Sequence, residues 1–204
     1  MTTISRRGVL LLALVGATGA APVGTSPAAP VETLDTGLLA IMKAGKSASF
    51  AERARMFTPV AEASFDLAVI LERSVGLAYA DFPQATKTEL LAVFTEFTVA
   101  SYVANFDDFG GERFDVEPGT RPAGADQIVR TRLVESSGKQ VKLDYVVHDE
   151  NGTWKIVDVL LDGSISRVAM QRSDFRSLVS GGDATPLIAS LRQKVARLAA
   201  GKAG

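Results

Sequence analysis

Residues 154–166, WKIVDVLLDGSIS, read as a β-strand that stops at Gly163, and both of its sides are oily. Side chains alternate along a strand, so Trp154, Ile156 and Leu160 fall on one side and Val157, Val159 and Leu161 on the other. A strand of a single antiparallel sheet ordinarily keeps one face wet. Something must cover the second face of this one.

From Glu112 onward the apolar period is two. RFDVE (113–117), QIVRTRLVE (127–135), QVKLDYVVH (140–148) and TWKIVDVLLD (153–162) are strand candidates joined by turns, which predicts an antiparallel meander of about four strands. ESSGK (135–139) suits a three-residue loop with Gly138 in the left-handed region, which sets Glu135 opposite Lys139. That register gathers Val129, Thr131 and Leu133 with Leu143, Tyr145 and Val147 on one face. A two-residue loop would instead desolvate Arg130 and Arg132. HDENGTW (148–154) gives the same parity with a two- or a four-residue loop, so Trp154 and Ile156 join that face, with Leu160 and Asp158 following by alternation. The opposite face is polar on the first two long strands (Arg130, Arg132, Lys142, Asp144). Only the last strand therefore needs cover behind it. A C-terminal helix, with Thr185 as N-cap, Pro186 at its first position and Leu187, Leu191 and Leu198 for packing, is the expected cover.

The first half is helical. Ser49 with Glu52 forms a capping box over SFAERARMF (49–57), and Thr86 with Glu89 forms a second before LLAVFTEFTVASYVANF (90–106). Between them VAEASFDLAVILERSVG (60–76) is apolar at helical spacing up to Gly76, and Phe65-Asp66 could set a helix against the sheet. In the long helix Leu90, Phe94, Thr98, Tyr102 and Phe106 share one i+4 row, with Leu91 and Phe97 beside it. The reading is an α+β fold: a curved antiparallel sheet packed against several helices around an apolar interior, NTF2-like in general shape.

The chain has 204 residues, ample for a buried core. Its 22 Lys and Arg against 23 Asp and Glu imply no nucleic-acid partner. Without cysteine there are no disulfides, thiol nucleophiles or Cys-held metals, and one histidine, His148, cannot build a His-ligated metal site. No phosphate-binding glycine loop, GxSxG or HExxH occurs, and no cofactor is expected. Arg6 and Arg7, the apolar run Val9–Val15 and the small residues before Pro22 mark residues 1–20 as an export signal cleaved after Ala20, of the general secretory or twin-arginine type. Residues 21–32 read as a flexible linker, 33–199 as one domain and 200–204 as a tail, with the mature protein outside the cytoplasm. Asp158 is the one carboxylate expected in the oily surface. It is either a structural acceptor or the base of an NTF2-like enzyme pocket with Tyr145 as donor.

The ordered series FDLAVILERSVG (65–76), SYVANF (101–106), WKIVDVLLDGSIS (154–166), RSDF (172–175) and LIASLRQK (187–194) resembles the MlaC-type family of periplasmic lipid-shuttling proteins, the toluene-tolerance auxiliary proteins. YVANFDDFGGERF (102–114), VDVLLDGSISRVAMQRSDF (157–175) and SGGDATPLIASLRQK (180–194) look most like its hopanoid-biosynthesis-associated branch, HpnM. The resemblance spans roughly residues 33–198. The chain departs from the family pattern where Tyr79 lies near the place of a tryptophan, and where Gln171 precedes Arg172 in place of a tyrosine. The resemblance implies a periplasmic carrier that shields the tails of a phospholipid or hopanoid and has no catalytic residues. It also implies transient membrane contact, an inner-membrane ABC transporter with MCE-domain subunits and an outer-membrane lipoprotein complex as partners. Phe94, Tyr102, Phe106, Val129, Leu133, Tyr145, Val147, Trp154 and Ile156 are the expected lipid-binding lining. A buried-Asp158 enzyme and a fully packed structural adaptor are the rival readings.

Overall fold

A computed structural model describes residues 26–179 and 181–201; the proposed export signal and the last three residues of the tail lie outside them. The order is four helices, six strands and two further helices, with short 3-10 turns between. The helices are α1 (Ala29–Ala44), α2 (Phe50–Ser64), α3 (Leu67–Val75), α4 (Gln84–Asn105), α5 (Arg167–Phe175) and α6 (Thr185–Ala199). The strands are β1 (Arg113–Val116), β2 (Arg121–Ala123), β3 (Asp126–Val134), β4 (Gln140–Glu150), β5 (Thr153–Leu161) and β6 (Ile165–Ser166). They form one antiparallel sheet in the order β1-β3-β4-β5-β6, with β2 also paired to β3. Two strands more than expected come from β2 and β6. Each has at most three residues, too few to show a period of two.

Both hairpins behave as their turn chemistry dictates. Gly138 has φ 85°, and the Glu135 amide donates to the Lys139 carbonyl, fixing Val129 opposite Tyr145 and Thr131 opposite Leu143. Asn151 (φ 53°) and Gly152 (φ 87°) both occupy the left-handed region, as a two-residue turn between Glu150 and Thr153 requires.

The two oily sides of the 154–166 stretch have a single cause. Val147 pairs with Ile156, but Val146 pairs with Asp158, so Val157 is an extra, unpaired residue in β5. Such a bulge shifts the alternation by one. Before it, Ile156 lies in phase with Val147; after it, Val159 and Leu161 lie in phase with Tyr145 and Leu143. Both sets serve one interior face. This corrects the expected register: Leu160 and Asp158 pair with Asp144 and Val146, out of phase with Tyr145. Outside that alternation β5 keeps fully buried Val157 and half-buried Leu160. The C-terminal helix α6 packs chiefly on α4, where Leu187 and Leu191 are fully buried. Its start differs slightly from expectation, because Ala184 takes the N-cap position and Pro186 falls within the first turn.

The helices cover that interior face. Ser49 and Glu52 close the expected capping box on α2. The apolar segment 60–76 is not one helix. It breaks at Phe65, whose backbone bridges to Ile156, while the Asp66 amide donates to the Ile156 carbonyl at 2.9 Å. The Asp66 carboxylate then caps α3 through the Val69 amide, and Lys155 Nζ reaches the terminal α2 carbonyl of Glu62 at 3.0 Å. The second expected capping box is absent, since α4 starts two residues before Thr86, after Pro83. Pro83 offers no side-chain acceptor. Ala29–Glu32, read as linker, form the first turn of α1, because the apolar stripe of Val31, Leu34, Leu38 and Ile41 begins there. A Cβ on Gly37 would lie 2.5 Å from Val60 Cγ1, so glycine sets the close approach of α1 to α2.

Asp35 interrupts that stripe. It is only 6 % exposed, and neither carboxylate oxygen has a hydrogen-bond partner among the described residues. Burial, helped by the nearby Glu32 charge, pushes its carboxyl from 3.8 up to about 7. A carboxylate with a raised native pKa contributes no penalty below its unfolded value, and its charging cost grows until pH passes the native value. Asp35→Asn should therefore gain on the native chain as pH rises from about 4 to about 8, by on the order of 4 kcal/mol at about 1.4 kcal/mol per pH unit. Urea unfolding of both proteins at the two pH values measures this; a pH-independent difference would refute the assignment.

Candidate functional site

The interior surface between α4 and the sheet is set by aromatic rings. Tyr102 sits at their centre, with centroids 5.3 Å from Phe57, 5.6 Å from Phe65 and 6.0 Å from Phe106, the last pair nearly parallel at 16°. Phe106 continues to Phe114 on β1 at 6.3 Å, so the chain of rings runs from α2 across α4 to the sheet edge. The principal neighbours of α4 are α2, α3 and α6 rather than any strand. A gap consequently remains between α4 and β4–β5.

The gap is an apolar slot with two parts that share Tyr102, Val159 and Arg167. The wider part, about 220 Å³, lies between Phe106 and Tyr102 on one side and Leu143, Tyr145, Val159 and Leu161 on the other. Solvent-exposed Asn105 marks its rim, with half-buried Arg167 beside it. The narrow part, about 30 Å³, continues past Phe94, Phe97 and Thr98 toward Leu67 and Ile70 of α3. Burial pushes the Tyr102 phenol up to about 12 and that of Tyr145 well above its ordinary value. Both are neutral donors at any physiological pH.

Of the nine residues expected to bind lipid, Phe94, Tyr102, Phe106 and Tyr145 border this slot. Val129, Val147 and Ile156 are fully buried core, and Leu133 and Trp154 are half-buried outside the slot. Val159 and Leu161 replace them, because the bulge turns these two inward. No periodicity signal in the sequence marks the bulge. Arg167, Val168 and Gln171 of α5 were likewise missed, whereas Thr98 and Phe97 belong to the aromatic row already visible in the sequence.

Asp158 lies at the narrow end, engaged in structure. Its carboxylate accepts hydrogen bonds from Val159 N at 2.7 Å, Val168 N at 3.1 Å and Ser166 Oγ, holding the N-terminus of α5 against β5. No hydrogen bond joins it to Tyr145 among the described residues. His148 Nδ1 lies 2.6 Å from Asp126 Oδ1, and Asp126 also meets Arg73 at 3.6 Å, which ties β3 and β4 to α3. Among the described residues no cluster of His, Asp or Glu could hold a metal ion, and no helix is long and apolar enough to cross a membrane.

This architecture has known counterparts. The solved structure of a phospholipid-binding protein from Ralstonia solanacearum, in complex with a phospholipid, matches with a TM-score of 0.73 over 85 % of this chain and 99 % of that one. The two sequences are 19 % identical, so the likeness establishes the fold. No curated protein matches the sequence. The family model of the MlaC protein matches residues 32–193, which takes in every element of both walls of the slot. The chain belongs to the MlaC family.

Proposed function

We propose that this chain is a soluble periplasmic lipid carrier that shields lipid tails in the slot between α4 and the sheet. The observation that carries the reading is the slot itself: an apolar space reaching solvent beside Asn105 and Arg167, in a chain of the MlaC family. Each methylene kept from water is worth about 0.8 kcal/mol, so a lipid with roughly 30 tail carbons resists leaving a membrane by over 20 kcal/mol. A carrier must replace that environment with apolar side chains. Tyr102, Phe106, Leu143, Val159 and Leu161 supply it, while Arg167 at the rim suits a phosphate head group.

At about 220 Å³ the wider part falls below the roughly 300–1,000 Å³ usual for small-molecule pockets. Loading a diacyl or polycyclic guest therefore requires α4 to move away from β4 and β5. Their separation already runs through side chains rather than close backbone packing. The phospholipid in the Ralstonia relative supports a phospholipid guest; the 102–114 and 157–175 segments support a hopanoid and the HpnM branch. In this reading the export signal delivers the protein to the periplasm. There it passes lipid between an inner-membrane ABC transporter with MCE-domain subunits and an outer-membrane lipoprotein complex.

Native mass spectrometry of the protein purified from the periplasm, followed by lipid extraction, tests the reading. A bound lipid is expected in the native chain. Thr98→Trp, which projects a ring into the narrow part, should lower its occupancy by about tenfold, the equivalent of 1.4 kcal/mol of overpacking. A native chain that carries no lipid would overturn the carrier.

The role of Asp158 gives a second test. Asp158→Asn should leave lipid occupancy intact while weakening the hold on α5, at about 1–3 kcal/mol of stability. Hydrogen exchange should show α5 amides losing protection first. Loss of a measurable turnover in this variant would favour the enzyme instead.

A further inference from the structure

Helices α3 and α5 form a wall with the slot on one side and a second concavity on the other. Leu67, Ile70, Val168 and Gln171 face the slot. Glu72, Arg73, Arg172 and Arg176 line the outer groove, about 790 Å³, together with the 3-10 segment Gly76–Asp81. The wall is tied by Ser74 Oγ donating to Gln171 Oε1 at 2.9 Å and by Arg172 Nε donating to the Arg73 carbonyl at 2.8 Å. Three guanidinium groups against one carboxylate give the groove a positive face on a chain whose net charge is −1. Arg73 is partly offset by Asp126, but Arg172 and Arg176 are exposed and make no ion pair among the described residues.

Leu77 also lines this groove. It is 96 % exposed, against 49 % for Ile165, the next most exposed large apolar side chain among the described residues. Gly76, with φ 77°, ends α3 and turns the chain so that Leu77 projects outward. A single exposed leucine is ordinary on a protein surface, and what sets this one apart is its place in a groove with three guanidinium groups. Sharing a groove with three arginines, it has the composition of an interfacial anchor: the guanidinium groups take lipid phosphates while the leucine enters the acyl boundary.

We propose that the α3–α5 face, with Leu77 as apolar anchor and Arg73, Arg172 and Arg176 as cations, docks this protein on an anionic lipid bilayer. The site rests on the carrier reading for its purpose, since it sets the membrane one helix pair away from the narrow end of the slot. A tail leaving the bilayer would have to part the α3–α5 wall, which one Ser74–Gln171 and two Arg172–Arg73 hydrogen bonds cross.

Flotation with vesicles of phosphatidylcholine alone and of phosphatidylcholine mixed with phosphatidylglycerol tests this on the full mature chain. Binding is expected to the mixed vesicles, to fall with added salt and to be weak on phosphatidylcholine alone. Arg176→Glu should reduce the partition coefficient about thirtyfold and Leu77→Ser about tenfold. Both positions are exposed, so neither change threatens the core. Equal binding to both vesicle types, unchanged binding by either variant, or capture only by an acidic protein would overturn the docking surface. Native mass spectrometry on the same preparations separates the two ideas. Bound lipid without vesicle binding removes the surface alone, whereas vesicle binding without bound lipid removes the carrier and leaves the surface.

Discussion

One inserted residue governs the interior. With Val157 left out of the β4–β5 ladder, Ile156 on one side of the bulge and Val159 and Leu161 on the other all meet the same face. Regular pairing would send Val159 and Leu161 to the face that carries Arg130 and Lys142, and would bring Asp158 and Leu160 inward in their place. The bulge also marks a division of labour along β5. Ile156, ahead of it, is sealed against Phe65 and the α2–α3 junction, whereas Val159 and Leu161, behind it, face the slot. One strand thus supplies both a packed core and an unfilled space, and the residue between them decides where one becomes the other.

The sequence carried the fold to a considerable depth because its strongest signals are local. Gly138 and Asn151-Gly152 fix two hairpins by backbone sterics alone, and the 90–106 row places an aromatic stripe on one helix face. What it could not carry is non-local. An unpaired residue leaves no trace in composition: Val157 is as apolar as its neighbours, so alternation passes through it unremarked. The five expected lining residues that fall outside the slot fail for a related reason. Val129, Val147 and Ile156 share a face with Tyr145, but whether a given position on that face meets a helix or a gap depends on where α4 lies. That is set by α2, α3 and α6. The break at Phe65 is similar, because a bridge to Ile156, far along the chain, overrides helical spacing.

Asp158 shows how the same residue type can look catalytic from sequence and structural in space. An acid expected inside an oily surface invites a raised pKa and a role as base. Here its oxygens accept from two amides and a hydroxyl, all belonging to β5 or to the entry of α5. Those bonds give the narrow end of the slot a fixed edge. The carboxyl that does face burial without a partner is Asp35, on α1, where no motif drew attention to it. Alternation and helical spacing locate apolar faces well, but they say nothing about whether a polar group on such a face finds a donor.

On the proposed carrier reading, the small volume of the slot has a physical reason. A permanently open cavity large enough for two tails would expose its apolar lining to water or forfeit dispersion contacts across a void. Either cost falls on a fold whose net stability is only about 5–15 kcal/mol. Letting Tyr102, Phe106 and Phe114 close on one another limits that cost. The walls that must separate on loading are therefore expected where backbone pairing is least. The sheet is locked by ladder hydrogen bonds from β1 to β6, but α4 meets it through rings. A guest that inserts between those rings exchanges aromatic contacts for its own tail contacts and breaks no backbone hydrogen bond. On the proposed carrier reading the β5 bulge fixes the floor and the aromatic row of α4 forms the roof, so room for a hydrocarbon guest would come from their separation rather than from a preformed hole.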